Sequence, residues 1–131
     1  MLKKTITYTD YNGVERTEDF YFNLTKTEIM EMEMGTAGGF SELLVRVVAA
    51  KDTPTLIKIW KEFILKAYGE RSLDGRQFIK SEAISTAFAQ TEAYSQLFME
   101  MATDADAAAR FINGVVPAEM AKQMPAAIAA Q

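Results

Sequence analysis

The sequence predicts an α+β protein that is mostly helical, with an N-terminal β-hairpin packed on a bundle of five to seven short helices. Three observations lead there. Residues 2–22 alternate apolar and polar side chains around an Asn-Gly turn. From Thr25 onward the apolar spacing changes to that of helices. The stretch Phe88 to Pro117 then punctuates successive helices with capping residues while placing no catalytic side chain anywhere.

Leu2, Ile6 and Tyr8 alternate with Lys3, Thr5, Thr7 and Thr9, and Val14, Phe20 and Phe22 follow the turn at Asp10-Tyr11-Asn12-Gly13. A two-residue Asn12-Gly13 loop pairs odd with even positions and splits the apolar set between faces. A three-residue loop, Tyr11-Asn12-Gly13, with Gly13 in the left-handed conformation of a bulge, pairs even with even and gathers those side chains, Val14 included, on one face. The second register is preferred. Two strands are marginal alone, so the apolar face needs cover from the helices or from another chain's sheet, and a free edge is open to strand addition.

Thr25-Lys-Thr-Glu28 reads as a capping box that opens a helix through about Met34, ended by Gly35. Gly35 to Gly39 reads as a break, and Phe40–Lys51 as an amphipathic helix. Asp52-Thr53-Pro54 supplies a cap and a proline at the first helical position, so Thr55 to Tyr68 is expected as the central helix, its apolar set Leu56, Ile57, Ile59, Trp60, Phe63, Ile64 and Ala67 wrapping more than half the circumference.

Gly69 to Gly75 reads as a loop turning at Ser72-Leu-Asp-Gly75. Phe78 to Gln90 reads as a helix, with a start near Ser81 as the alternative. Thr91 and Thr103 sit where N-caps belong, with Glu92, Asp104 and Asp106 in the turns that follow. Tyr94, Leu97, Phe98 and Met101 form the stripe of one helix. Ala105, Ala108, Ala109 and Ile112 line the next, which Asn113-Gly114 and Pro117 close. Pro117 starts a final short turn or helix. The expected organisation is one domain over residues 1–124, with the hairpin at 2–22, the helical part at 25–124, and 125–131 as a frayed tail.

Composition removes several classes of function. Without cysteine, thiolate chemistry and Cys-ligated metal are excluded, and without histidine the side chain that titrates near neutral pH is missing. The net charge of −4 disfavours a nucleic-acid partner. Residues 41–80 carry 8 basic and 5 acidic groups, against 4 and 7 before them and 2 and 6 after; the basic middle is read as answering the acidic flanks within the fold, with an acidic partner as the alternative. The opening residues lack the apolar core of a signal peptide, and no run suits a membrane span. No metal, cofactor or catalytic site is expected. Gly35-x-x-Gly38-Gly39 lacks the Lys-Ser/Thr of a phosphate loop, Asp104-x-Asp106 lacks further ligands, and Glu31 and Glu33 project to different sides of their helix.

What remains is contact. Met30 and Met34 stack one turn apart, and thioethers adapt to irregular surfaces; core filling is the favoured reading for this pair and partner binding the alternative. Leu65, in the stripe with Lys58, Lys61 and Glu62, and Met99, on the polar side of its helix, are the best candidates for exposed apolar contact points.

Two phrases go beyond pattern. LKKTITYTDYNGVERTEDFYFNLTKTEIMEMEM and YGERSLDGRQFIKSEAISTAFAQTEAYSQLFMEMATDADAAARFINGVVP, residues 2–34 and 68–117, resemble the tail assembly chaperones of long-tailed bacteriophages and prophages. The match is of whole phrases, and Gly35–Ala67 contributes none. The resemblance implies a small non-enzymatic protein of the infected host cytoplasm that keeps the tape-measure protein soluble, helps tail-tube subunits polymerise around it, and is absent from the mature virion. Many members of that family also have a longer frameshifted form. Self-association is a further expectation. Two other classes fit the same chemistry: a virion subunit such as a connector or decoration protein, and a small inhibitor of a host defence protein.

Overall fold

The computed structural model describes residues 1–35 and 53–117. The expected helix Phe40–Lys51, the glycines at 38 and 39, the cap at Asp52 and everything after Pro117, including the expected tail 125–131, lie outside the described residues. Strands β1 (Leu2–Thr9) and β2 (Glu15–Phe22) precede helices α1 (Lys26–Met34) and α2 (Thr53–Ala67). Strands β3 (Tyr68–Arg71) and β4 (Phe78–Ile79) follow, then helices α3 (Glu82–Ala89), α4 (Glu92–Thr103) and α5 (Ala105–Val115). The α+β class holds, with five helices among the described residues.

The first hairpin takes the even-with-even register. Leu2 faces Phe22, Lys4 faces Phe20 and Ile6 faces Glu18. Gly13 adopts φ +80°, the Asp10 amide donates to the Val14 carbonyl at 2.8 Å, and Asp10 Oδ1 accepts from the amides of Asn12 and Val14. The local chemistry of Asp, Asn and Gly therefore fixes which face each strand residue takes. Ile6, Tyr8 and Phe22 are buried, and Leu2 and Phe20 pack against them. Val14 departs from expectation: it stands at the hairpin tip and is exposed. The opposite face is polar, with Thr5 Oγ1 donating to Asp19 at 2.6 Å and the Thr7 and Thr17 hydroxyls 2.9 Å apart.

The hairpin is half of a four-stranded antiparallel sheet in the order β1-β2-β3-β4. The second half corrects the sequence reading of 69–75 as a loop and of Phe78 as helical. Gly69 pairs with Tyr21, Arg71 pairs with Phe78, and a tight turn at Ser72–Gly75 joins β3 to β4. Only two to four residues per strand carry this signal, too few for alternation to be seen. Helix α2 consequently ends at Ala67 and Tyr68 is already strand. Helix α3 starts at Glu82, capped by Ser81 Oγ, which accepts from the Ile84 amide at 3.1 Å.

Two cap assignments change in the last helices. Thr91 caps α4 as expected. Thr103, however, is the last residue of α4, its hydroxyl donating to the Met99 carbonyl, and Asp104 caps α5 by accepting from the amides of Asp106 and Ala107. Asn113 and Gly114 do not close the run, because α5 continues to Val115. Gly114 has a packing role instead: a Cβ there would lie 2.9 Å from Leu2 Cδ1, so the missing side chain lets α5 approach β1.

An aromatic cluster joins six of these elements. Phe22 has ring neighbours in Tyr68, Phe88 and Phe111 at centroid distances of 5.6, 5.7 and 5.1 Å. Tyr68 stacks on Phe88 at 4.1 Å, and Phe63 of α2 meets Phe111 at 6.2 Å. Tyr94 of α4 meets Phe88 at 5.6 Å. Aromatic rings bury large areas, so this cluster supplies much of the hydrophobic driving force. Helix α2 presents Ile59, Phe63, Ile64 and Ala67 to it and leaves Ile57 exposed, so its buried face is narrower than expected.

Candidate partner-binding surface

Helix α1 is built to stay in place while showing side chains outward. Thr25 accepts from the Glu28 amide at 3.1 Å and Glu28 Oε1 accepts from the Thr25 amide at 2.9 Å, closing the capping box. Glu28 Oε2 also meets Lys80 Nζ at 2.6 Å, and the same ammonium donates to the Asn23 carbonyl at 2.6 Å. Burial pushes the Glu28 carboxyl toward protonation, but the hydrogen bonds from Lys80 and Thr25 outweigh it and hold its pKa below the ordinary value. Lys80 follows β4 directly, so the second hairpin fixes the start of α1. Ile29 and Met32 pack against the core on one side of the helix.

The other side exposes two methionines among polar residues. Met30 and Met34 are 60% and 81% exposed, which reverses the expectation that this pair fills the core. Their i, i+4 spacing sets them on one face. Among the described residues, the basic middle of the chain meets the acidic first part at Lys80 and Glu28.

The other two candidates fare differently. Leu65 is half-buried against the core, and its carbonyl accepts from Ser85 Oγ at 3.1 Å, so it is not the exposed contact point its charged stripe suggests. Met99 is 55% exposed. It lines a separate groove of about 570 Å³ between β1 and α4, together with Thr5, Ile6, Thr7, Gln96, Leu97 and Thr103.

Sequence reasoning passed over Leu73. It stands fully exposed at the tip of the second hairpin, on a turn tied by Ser72 Oγ to Asp74 at 2.7 Å and by the Gln77 amide to Ser72 Oγ at 3.0 Å. The signal was present, since a leucine inside Ser-x-Asp-Gly has no core to reach. Among the described residues no group of three or more acidic side chains is arranged to hold a metal ion, and no helix is long and apolar enough to cross a membrane.

Apolar side chains held outward on anchored elements describe a protein that meets other proteins. A family model described as phage tail assembly chaperone matches residues 1–131. The chain belongs to the phage tail assembly chaperone family. No curated protein and no solved structure matches it. As a tail assembly chaperone it has phage tail proteins as its partners.

Proposed function

We propose that the protein binds the tape-measure protein of its phage, keeps it soluble and assists polymerisation of the tail tube around it, without catalysis. It acts in the cytoplasm of the infected host cell and leaves before the virion matures. The observation that carries this reading is the exposed Met30–Met34 pair on a helix clamped through Glu28 and Lys80. A long helical client displays apolar stripes of varied shape, and unbranched thioethers on a rigid support conform to such stripes without rearranging the support. The tail-tube protein is the second partner.

Coexpression with the tape-measure protein tests the proposal. The expected result is a soluble complex that co-purifies, and Met30→Asp/Met34→Asp abolishes co-purification while leaving the circular dichroism spectrum unchanged. Undiminished capture by that variant removes α1 as the client surface, and failure of the native protein to bind removes the client. Mass spectrometry of purified particles addresses the last step: the chaperone is expected to be missing, and its presence at fixed stoichiometry assigns it to the virion structure.

A further inference from the structure

The sheet ends in β1, and among the described residues no strand pairs with that edge. Asp10 donates its amide across the hairpin to Val14, so by the alternation of strand backbone the even residues Leu2, Lys4, Ile6 and Tyr8 bond to β2. Lys3, Thr5, Thr7 and Thr9 therefore aim their N–H and C=O groups away from the sheet. Gln96 confirms the direction, because its Nε2 reaches over the rim to the Thr7 carbonyl at 2.9 Å. The other outward backbone groups of these four residues have no partner among the described residues.

An edge of 8 residues is long, and natural sheets usually guard such edges with proline, a bulge or an inward charge. This one has no proline, and its pairing with β2 runs unbroken from Leu2 to Thr9. Its inward charge, Lys4, is neutralised by Glu100 of α4 at 3.2 Å.

The charges along the strand favour one occupant. Lys3 and Lys4 occupy its start. At its far end stand Asp10, bonded to Arg16 at 2.6 Å, and Glu15, with Glu92 beside them, held by the Tyr11 hydroxyl at 3.2 Å. A second copy laid antiparallel turns each copy's Lys3 toward the other's Glu15, the end charges that Glu100 and Arg16 do not engage, whereas a parallel copy sets Lys3 beside Lys3. With the axis at Ile6, Thr5 meets Thr7 of the second copy and Lys3 meets its Thr9. The second copy's Glu15 lies one strand spacing farther on, about 4.8 Å, within reach of a lysine stem. Odd residues pair with odd, so the outward backbone groups of both copies face one another.

We infer that two copies of the chain associate through the free edges of β1, antiparallel about a two-fold axis at Ile6, to form one continuous sheet. Gln96 releases the Thr7 carbonyl when the strands join. The surface is independent of the α1 face, so the dimer and the client site stand or fall separately.

Sedimentation equilibrium on the full chain, combined with amide hydrogen exchange by NMR, tests this. The expected result is a twofold rise in mass with concentration, accompanied by slowed exchange at Thr5 and Thr7, on the order of tenfold when about nine chains in ten are paired. Thr5→Pro removes an outward N–H and no backbone bond of the β1–β2 ladder, though the Thr5–Asp19 side-chain bond goes with it, and Lys3→Glu opposes like charges. Both are expected to return the protein to the monomer with the even-residue amides still protected. Four results overturn the inference: a monomer throughout, a dimer in which Thr5 and Thr7 exchange fast, a dimer that survives both substitutions, or protection at Thr5 and Thr7 that appears only when a tail protein is added.

Discussion

Lys80 Nζ sits 2.6 Å from Glu28 Oε2 and 2.6 Å from the Asn23 carbonyl oxygen, joining the end of β4 to the exit of β2 and to the first turn of α1. Both side chains are largely covered, at 22% and 25% exposure. A pair so placed is screened less than one on an open surface, and each partner also satisfies a backbone group. The orientation of α1, and with it of Met30 and Met34, depends on this junction.

Lys80→Met is expected to cost about 1–3 kcal/mol, because it leaves Glu28 and the Asn23 carbonyl half-buried without their donor. Glu28→Gln is expected to cost less, since an amide at this position still closes the capping box. Urea titration measures both. Amide exchange should show the Lys80→Met loss concentrated in α1, and a loss spread evenly over the helices contradicts the clamp.

Acid sensitivity follows from the same carboxylate. Glu28 has a folded pKa below its unfolded value, as do Asp10, through the Arg16 hydrogen bond, and Asp74, through that from Ser72. For such groups the stabilisation is present above the unfolded carboxylate pKa of about 4 and is lost as pH falls through the folded one. Stability is therefore expected to be flat near neutrality and to fall on acidification below that point. Glu28→Gln should make the decline shallower. An unchanged acid slope in that variant assigns the sensitivity to other groups.

How much was legible in the sequence depended on the length of each signal. The first hairpin could be read to the register, because Asp10, Asn12 and Gly13 specify one turn and only that turn brings Ile6 and Tyr8 of β1 to the same face as Phe20 and Phe22 of β2. The capping box of α1 was equally clear. The second hairpin was not, because β4 has 2 residues and its identity comes from pairing with β3 rather than from its own pattern. Thr103 and Asp104 are adjacent capping residues, and only the geometry of the chain decides between them. The exposure of Met30 and Met34 depends on which face of α1 the core claims, and Ile29 and Met32 won that competition through tertiary packing that spacing alone does not reveal.

Phe111 illustrates a core residue that the alanine pattern concealed. It is 2% exposed, and its ring meets Phe22 and Phe63. Phe111→Ala is expected to cost about 3–5 kcal/mol, the range for a large aromatic removed from a packed core. Thermal and urea unfolding give the value. A cost near that of an exposed site contradicts a junction of β2, α2 and α5 at this ring.

Two glycines should respond differently to the same methyl group. At Gly69 a Cβ would lie 2.7 Å from Phe78 Cε2 and 2.9 Å from the Ile79 carbonyl oxygen, which belongs to paired backbone and has nowhere to go. Gly69→Ala is therefore expected to cost about 1–3 kcal/mol by overpacking and to open the β3–β4 hairpin. At Gly114 the nearest atom is Leu2 Cδ1, the free end of a side chain that can rotate, and alanine gains roughly 1 kcal/mol of helix propensity over glycine there. Gly114→Ala is expected to be close to neutral, the steric and propensity terms offsetting each other. Equal losses at the two sites, measured by urea titration, would mean that Leu2 is held as firmly as the sheet backbone and that α5 and β1 are locked together.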